Sequence, residues 1–547
     1  MPSHCPILAL SVLLAATSPA LAIILNSSTA GPSASGANLA AYLGADAFYS
    51  AGYTGARATV ANIEGGQPWL GHETLGHVGL MPLYAGAQTS VQDHATGVTQ
   101  IIAGRGTRTH RQGLAPGATV FAGTVNKLRE VSIAFDGPSV GRTYDAAMRG
   151  FVPQGGTQTV RADVINSSWG RIGTYTGYDP IVEQMEGLVR RTGTVVVAAA
   201  GNSGPRENQF GPPGVALNVI TVGALESLTP PEISPTYDRV AGFSSVSPTS
   251  VIFLGQSQTL TRAAISLVAP GRDYTVAGYN GAGTVPNWYF GARSGTSYAS
   301  PTVAAAAALL VDTAYDRFVT PADRSPVDSR TVRAILMNSA EKTPGWSNAQ
   351  IATSNISLTT QAVDYAAGAG RLNIARAFSQ FTSGTTGVVL TDHAATVQPI
   401  GWDFDVVSPA APAATYLLAG GLTPDTTLTA TLTWFLDATY DDLADQGNIT
   451  ALADLSLDLL LLTPAGEQLV ARSDTLRNNV EHLYLPLLDT PGTYALRVNF
   501  DGAEFGVAAP TSFALAWSAT AIPEPATLAL LIASLPLLTP RRRPRTT

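Results

Sequence analysis

Ser294-Gly295-Thr296-Ser297-Tyr298-Ala299-Ser300-Pro301-Thr302-Val303 opens a run that continues from Ala304 to Val311 as an almost wholly apolar, alanine-rich segment. No charge interrupts it before Asp312, so a helix here is expected to be apolar all round and buried. Pro301 is expected in its first turn, where a missing N–H costs nothing. The helix would then present a hydroxyl at its N-terminus, where free N–H groups and the helix dipole favour negative charge. Ser297 is therefore a candidate nucleophile. The competing reading is that Thr296 or Ser297 only caps the helix, and this stretch alone does not separate the two.

Upstream and downstream of this helix, short continuous apolar runs alternate with helix-like segments. They are Thr59 to Ile63, Thr119 to Ala122, Val164 to Asn166, Thr194 to Ala199, Val219 to Val222 and Ser266 to Ala269. Continuous rather than alternating runs predict strands buried on both faces, as in a parallel sheet covered by helices. In such sheets the site lies beyond the carboxyl ends of the strands. Glu64-Gly65-Gly66 follows the first run, Asn166-Ser167-Ser168-Trp169-Gly170 the third and Gly201-Asn202-Ser203-Gly204 the fourth. His94 stands at the head of a further helix through Ile101 and Ile102. Each is a common turn or cap when taken singly; the argument rests on the set.

The bulk numbers frame the reading. The chain has 547 residues, 45% hydrophobic and 13% charged, which describes a large-cored globular protein of more than one domain. A formal charge of −8 and a pI near 5.4 argue against a nucleic-acid partner. The single cysteine, Cys5, falls in an apparent leader, so a mature chain would have no disulfide, thiol nucleophile or thiolate metal site.

Residues 1–22 read as a secretory signal, with an apolar core from Ile7 to Ala16 and Ala20-Leu21-Ala22 as the cleavage pattern; a buried helix is the alternative. Residues 23–51 form an N-terminal extension too short to fold alone. From 381 to 520, apolar or alternating segments between turn residues predict an antiparallel, jelly-roll-like β-sandwich: Thr427 to Trp434, Ser456 to Leu462, His482 to Leu488, Tyr494 to Phe500 and Ser512 to Trp517. Asp441, Asp442, Asp445, Asp454, Asp458 and Asp474 in this region are either solvated turn residues or oxygen ligands for calcium. The tail, 521–547, carries Pro523-Glu524-Pro525, an apolar run from Ala526 to Leu538, and Arg541-Arg542-Arg543. The run is short for a membrane span of about 20 residues. It is either a simple anchor or a processed signal.

Taken together, these motifs resemble those of the subtilisin-like serine proteases. Ser294 to Pro301 is similar to the family's G-T-S-x-A-x-P nucleophile motif. His94-Ala95-Thr96-Gly97-Val98 is similar to its histidine motif, and Gly113-Leu114-Ala115-Pro116-Gly117-Ala118 to the turn that follows. Ala199-Ala200-Gly201-Asn202 resembles the oxyanion loop. The order along residues 52–380 is the family's order. The resemblance implies a doubly wound, mostly parallel α/β catalytic domain ahead of the β-sandwich. It implies a serine endopeptidase with Ser297 as nucleophile, His94 as base and Asn202 as oxyanion donor. Ser167, Ser168, Trp169 and Gly170 would pair with extended substrate. Structural calcium is common in the family, but no ligand set can be assigned here.

The departure is at the acid, where the family has aspartate and Val60-Ala61-Asn62-Ile63-Glu64 ends in glutamate. Glu64 is the expected third member, since either acid can orient an imidazole; Asp93 and Glu73 are the substitutes. The related sedolisins, with glutamate for histidine and aspartate for asparagine, are excluded by His94 and Asn202. An α/β-hydrolase is excluded by the order acid, histidine, serine. The short stretch between Ala22 and Glu64 leaves little room for the folded prosegment usual in secreted subtilases. The tail resembles the PEP-CTERM sorting signal, which implies an exosortase-type processing partner and the envelope or exterior of a Gram-negative bacterium. A second class of function stays open: a surface-displayed binding protein on a degenerate protease scaffold.

Overall fold

The computed structural model describes residues 33–521, apart from 35–36, 85–86, 88, 107–110, 126–136, 171–178, 206–209, 228–235, 252–259, 354–355 and 385–393. The expected leader at 1–22 and the tail from Pro523 onward lie outside the described residues.

Seven strands make the central sheet: β1 (Thr59–Glu64), β2 (Gly79–Leu80), β3 (Thr119–Thr124), β4 (Val164–Ser167), β5 (Val195–Ala199), β6 (Ile220–Glu226) and β7 (Leu267–Pro270). Their order is β7-β6-β5-β4-β1-β3-β2, and every neighbouring pair is parallel. Arg239–Val240 adds a short antiparallel pair to β6. All residues of β5 and β6 are buried, as the unbroken apolar runs require of strands covered on both faces. The six continuous apolar runs read from the sequence are all strands here. The order reverses around β1, so successive crossovers leave on opposite sides of it and open a crevice at its carboxyl end. Glu64 is the last residue of β1.

Among the described residues, six helices of nine residues or more accompany the sheet: α1 (Asp93–Ala103), α2 (Gly137–Arg149), α3 (Pro180–Thr192), α4 (Thr296–Arg317), α5 (Ser329–Asn338) and α6 (Ile374–Thr382). Helix α4 lies across β4 to β7 and against α1. It is buried from Tyr298 to Ala314, as its unbroken apolar composition predicts. Two details differ from expectation. Pro301 lies one turn deeper than the first turn, because α4 begins at Thr296 with Gly295 as N-cap; the ring deprives the Ser297 carbonyl of its intrahelical donor. Asp312 does not end the buried run but is itself buried. Its carboxylate accepts the backbone N–H groups of Thr54, Gly55, Ala56 and Arg57 at 2.9–3.2 Å and pairs with the Arg57 guanidinium at 2.9 Å. Such a charge is tolerated only with its lone pairs filled.

The N-terminal extension packs into this body: Leu39 and Phe48 are fully buried in the main core, and Phe48 meets Phe378 of α6 edge-on at 4.7 Å.

The C-terminal region is a sandwich of two sheets, mostly antiparallel. One holds Ile400–Val407, Thr511–Ala521, Thr426–Trp434 and Val480–Leu485 in that order. The other is built on Gln446–Thr463 between Gly466–Ser473 and Thr493–Phe505, continuing to Ala413–Leu418 and Ala394–Val397. The segment expected from His482 to Leu488 ends as a strand at Leu485, because Pro486 has no N–H to donate. A hairpin from before the expected boundary at 380 joins the second sheet: Gln350–Ala352 pairs with Ser357–Thr359, which lies parallel to Gly466–Ser473. Of the aspartates expected in turns, Asp442 pairs with Arg149 and Arg191, Asp445 is buried and bonded to Tyr440, and Asp458 lies instead within the strand Gln446–Thr463, buried and bonded to Arg472. Among the described residues no three His, Cys, Asp or Glu side chains gather as a cation site.

The sandwich packs on α3 and α5. Gly187 of α3 sits where a Cβ would come 2.4 Å from the Thr439 carbonyl oxygen, and Gly447 where a Cβ would come 1.9 Å from the Glu183 carbonyl oxygen. Two bare backbones thus set the approach. Nearby, buried Glu186 accepts the N–H groups of Leu217 and Asn218, and Asn218 exchanges two hydrogen bonds with the backbone of Leu436. Burial pushes the Glu186 carboxyl up to about 7. Asp403, Phe404 and Asp405 of the sandwich line one depression together with residues 161–163 and 192–194, which lead into β4 and β5. The carboxyl ends of the strands face away from that depression.

Candidate active site

At the carboxyl end of β1, Glu64 is 2% exposed. One of its oxygens accepts the Ser168 backbone N–H at 3.0 Å, and the other stands 3.1 Å from His94 Nδ1. The extra methylene of glutamate is thus accommodated with both oxygens engaged. The bond fixes the tautomer: Nδ1 donates to the carboxylate, leaving Nε2 as the acceptor. Desolvation pulls the imidazole pKa down, but the hydrogen bond and charge of Glu64 outweigh it, so the pKa is raised above the ordinary 6.5. The His94 ring meets Tyr298 edge-on at 5.8 Å, and Tyr298 stacks on Tyr274 at 5.7 Å. The two substitute acids are committed elsewhere. Asp93 pairs with Arg293 and accepts the Tyr279 N–H at 3.0 Å; Glu73 pairs with Arg111 and the Tyr289 hydroxyl, both at 2.8 Å.

Ser297 lies in the first turn of α4, partly exposed, one residue after Thr296. Neither Thr296 nor Ser297 caps the helix with its own side chain; the N-cap is Gly295, at φ 154°, ψ 158°. Asn202, from the loop after β5, supplies the cap from outside: its Oδ1 accepts the Thr296 N–H at 2.9 Å and the Thr296 hydroxyl at 3.1 Å. The Thr296 hydroxyl in turn accepts the Gly201 N–H at 3.1 Å. With Oδ1 occupied, the amide cannot flip without breaking both bonds, and Nδ2 is left as the outward donor. A Cβ at residue 295 would stand 3.4 Å from that Nδ2 in a left-handed backbone conformation, so glycine is required there. Among the described residues no hydrogen bond joins Ser297 Oγ to His94; such bonds are commonly loose until substrate closes the site.

A cleft of about 230 Å³ adjoins Ser297, lined by Ser168, Trp169, Gly170, Asn202 and Gly211 among others, all of them neutral. Of the four residues expected to meet substrate, three line it. Ser167 does not: it is buried within β4, and its hydroxyl bonds that of Tyr144. Alternation along the strand turns it from the cleft. Larger depressions of about 540 and 760 Å³ lie where the sandwich meets α3 and the strand starts, away from these side chains.

Two parts of the site were not anticipated. The bracing of Asn202 by Thr296 had a visible signal, a hydroxyl residue directly before Ser297. The other is a buried polar chain beneath the site: Asn62 donates to Thr99 at 2.9 Å and accepts from Asn166 at 2.8 Å, and Asn166 accepts from Ser300 at 2.8 Å. Its signal was a polar residue inside the otherwise apolar run of β1.

Residues 83–370 match the profile of Peptidase_S8, the subtilase family. Pyrolysin of Pyrococcus furiosus is 33% identical over 214 residues, 37% of this chain and 14% of pyrolysin. Subtilisin DY of Bacillus licheniformis is 31% identical over 271 residues, 49% of this chain and 81% of subtilisin DY. The subtilisin of Bacillus sp. (strain TA39) is 30% identical over 224 residues, 46% of its own length. The chain thus spans a small part of pyrolysin, under half of the strain TA39 enzyme and most of subtilisin DY. Among solved structures, the prenylagaramide maturation protease PagA superimposes with a TM-score of 0.43 at 21% identity, covering 61% of this chain and 98% of its own.

Proposed function

This chain belongs to the subtilase family, and we propose on that premise that it is a serine endopeptidase with a Glu64–His94–Ser297 triad. The observation that carries the reading is the 3.1 Å contact of Glu64 with His94 Nδ1, at the same strand ends as Ser297 and Asn202. Ser297 Oγ attacks the scissile carbonyl while His94 Nε2 takes its proton. Glu64 keeps the imidazole in the required tautomer and stabilises the imidazolium. The oxyanion of the tetrahedral intermediate receives Asn202 Nδ2–H and the backbone N–H of Ser297, one of the first-turn donors that have no acceptor within the helix. His94 then protonates the leaving amine, and water releases the acyl group by the reverse sequence. Ser168 to Gly170 hold the peptide in extended form.

The same reading makes the substrates proteins or peptides. On the resemblance of the two chain ends, the enzyme is exported and then sorted by an exosortase-type partner at the envelope of a Gram-negative bacterium, with transient membrane contact through the tail. The test of the activity is a fluorophosphonate probe on folded protein. Labelling of wild type that disappears in Ser297→Ala supports the peptidase; absence of labelling would sink it in favour of a binding protein on this scaffold.

A further inference from the structure

We propose that Asn62 is a positioning residue for this reaction, holding the helix that carries His94 in register with the helix that carries Ser297; the inference rests on the peptidase reading. Asn62 lies in β1 two residues before Glu64 and is 1% exposed. Its amide Nδ2 donates to Thr99 Oγ1 at 2.9 Å, and the Thr99 hydroxyl donates to the Ala95 carbonyl at 2.7 Å, one turn back and next to His94. Its Oδ1 accepts from Asn166 Nδ2 at 2.8 Å. That same Nδ2 donates to Ser168 Oγ at 3.0 Å, and the Ser168 backbone N–H holds Glu64. On the far side, Asn166 Oδ1 accepts the hydroxyl of Ser300 at 2.8 Å, one turn beyond Ser297 on α4.

One buried chain thus touches the immediate surroundings of all three triad members. Thr99, Asn166 and Ser300 are fully buried, and Ser168 is 2% exposed. A core built only for stability would place apolar groups here, because buried polar groups cost free energy unless every partner is present. What these bonds add is direction. They allow one register of α1 against β1 and of α4 against β4, where apolar packing tolerates several. Displacements of about 1 Å at reacting groups can cost about a hundredfold in rate, so this register bears directly on the alignment of His94 with Ser297.

The test compares wild type with Asn62→Leu, Thr99→Val and Thr99→Ser, on folded protein verified by a cooperative melt. It reads kcat and KM on a peptide substrate and the rate of fluorophosphonate labelling. Asn62→Leu is expected to lose tenfold or more in kcat and labelling rate, with KM within twofold and the acid limb of the pH profile displaced. Thr99→Val, which keeps shape but loses the hydroxyl, is expected to lose part of the same; Thr99→Ser is expected to restore it to within about threefold of wild type. If Asn62→Leu does not fold, the two Thr99 variants carry the comparison. Folded Asn62→Leu with kcat within twofold of wild type would overturn the inference, as would equal losses in Thr99→Val and Thr99→Ser. Wild type that neither labels nor turns over would overturn the peptidase reading and this inference with it.

Discussion

Asn202 Oδ1 accepts the backbone N–H of Thr296 at 2.9 Å, so one amide side chain both closes the open end of α4 and holds its Nδ2 toward the cleft beside Ser297. The two roles belong to different atoms and are separable by mutation. Asn202→Asp keeps the acceptor and loses the donor. It is expected to leave Tm near wild type while kcat falls by about 10²–10³, the size of effect that follows loss of one oxyanion donor. Asn202→Leu loses both and should add a stability cost of about 1 kcal/mol from the missing cap. Steady-state kinetics and thermal unfolding of the two variants check this.

The pH dependence follows from His94. In the proposed mechanism His94 must be neutral to take the serine proton, and the Glu64 carboxylate raises the imidazole pKa above 6.5 against the opposing pull of desolvation. Activity therefore rises as pH increases through a value above 6.5. Glu64→Gln removes the charge but not the shape, so the limb should move to lower pH. Turnover should drop by several orders of magnitude, because the amide no longer selects the tautomer. A kcat/KM profile from pH 5 to 9 on both proteins decides it. An unmoved limb would show that Glu64 is not the partner in the acting enzyme.

The neutral lining of the cleft beside Ser297 predicts substrate choice at the residue that donates the scissile carbonyl. A charged side chain there would be desolvated with no counter-ion among the described lining residues, at a cost of several kcal/mol. Peptide p-nitroanilides with Phe or Leu at that position should be cleaved at least about a hundredfold better, in kcat/KM, than those with Asp or Lys.

The contact of α3 with the sandwich predicts a stability effect far from the chemistry. In Gly447→Ala the new methyl would meet the Glu183 carbonyl at 1.9 Å, and backbone on backbone cannot be relieved by a rotamer. The expected loss is at least the 1–3 kcal/mol typical of overpacking, about that or more. Gly76→Ala, with no atom within 4 Å of the added Cβ, should stay within about 0.5 kcal/mol of wild type. Denaturant unfolding followed by tryptophan fluorescence measures both.

The central sheet was legible because each of its strands reads locally, whereas Glu64, His94, Asn202 and Ser297 were legible only as a set of motifs in order along the chain. Thr194 to Ala199 is an unbroken apolar run, and Asn202 must follow its end. The sandwich was legible only in part. Ile400–Val407 carries Asp403 and Asp405, and its polar residues hide a strand in which Asp403 is buried because it accepts the Tyr416 hydroxyl at 2.9 Å. The paired strands Gln350–Ala352 and Ser357–Thr359 are polar and short, and nothing local says which sheet they will extend. The polar chain through Asn62 showed in the sequence only as one polar residue within the apolar run of β1, and its extent was hidden for a related reason. Its partners Thr99, Asn166 and Ser300 are 37, 104 and 134 residues from the groups they bond, and only the fold brings them together.

That hairpin has a bearing on how the molecule can come apart. The strands Gln350–Ala352 and Ser357–Thr359 are laid into the sandwich, yet the chain returns from them to α6 and the buried Phe381 before the sandwich proper begins. The two halves are therefore threaded through one another rather than strung in line. A single cut between residues 382 and 394 would leave them held by a strand pairing, by the Asn218–Leu436 bonds and by Trp402 stacked on Phe381 at 5.3 Å. Such a nicked protein would migrate as one particle until denatured.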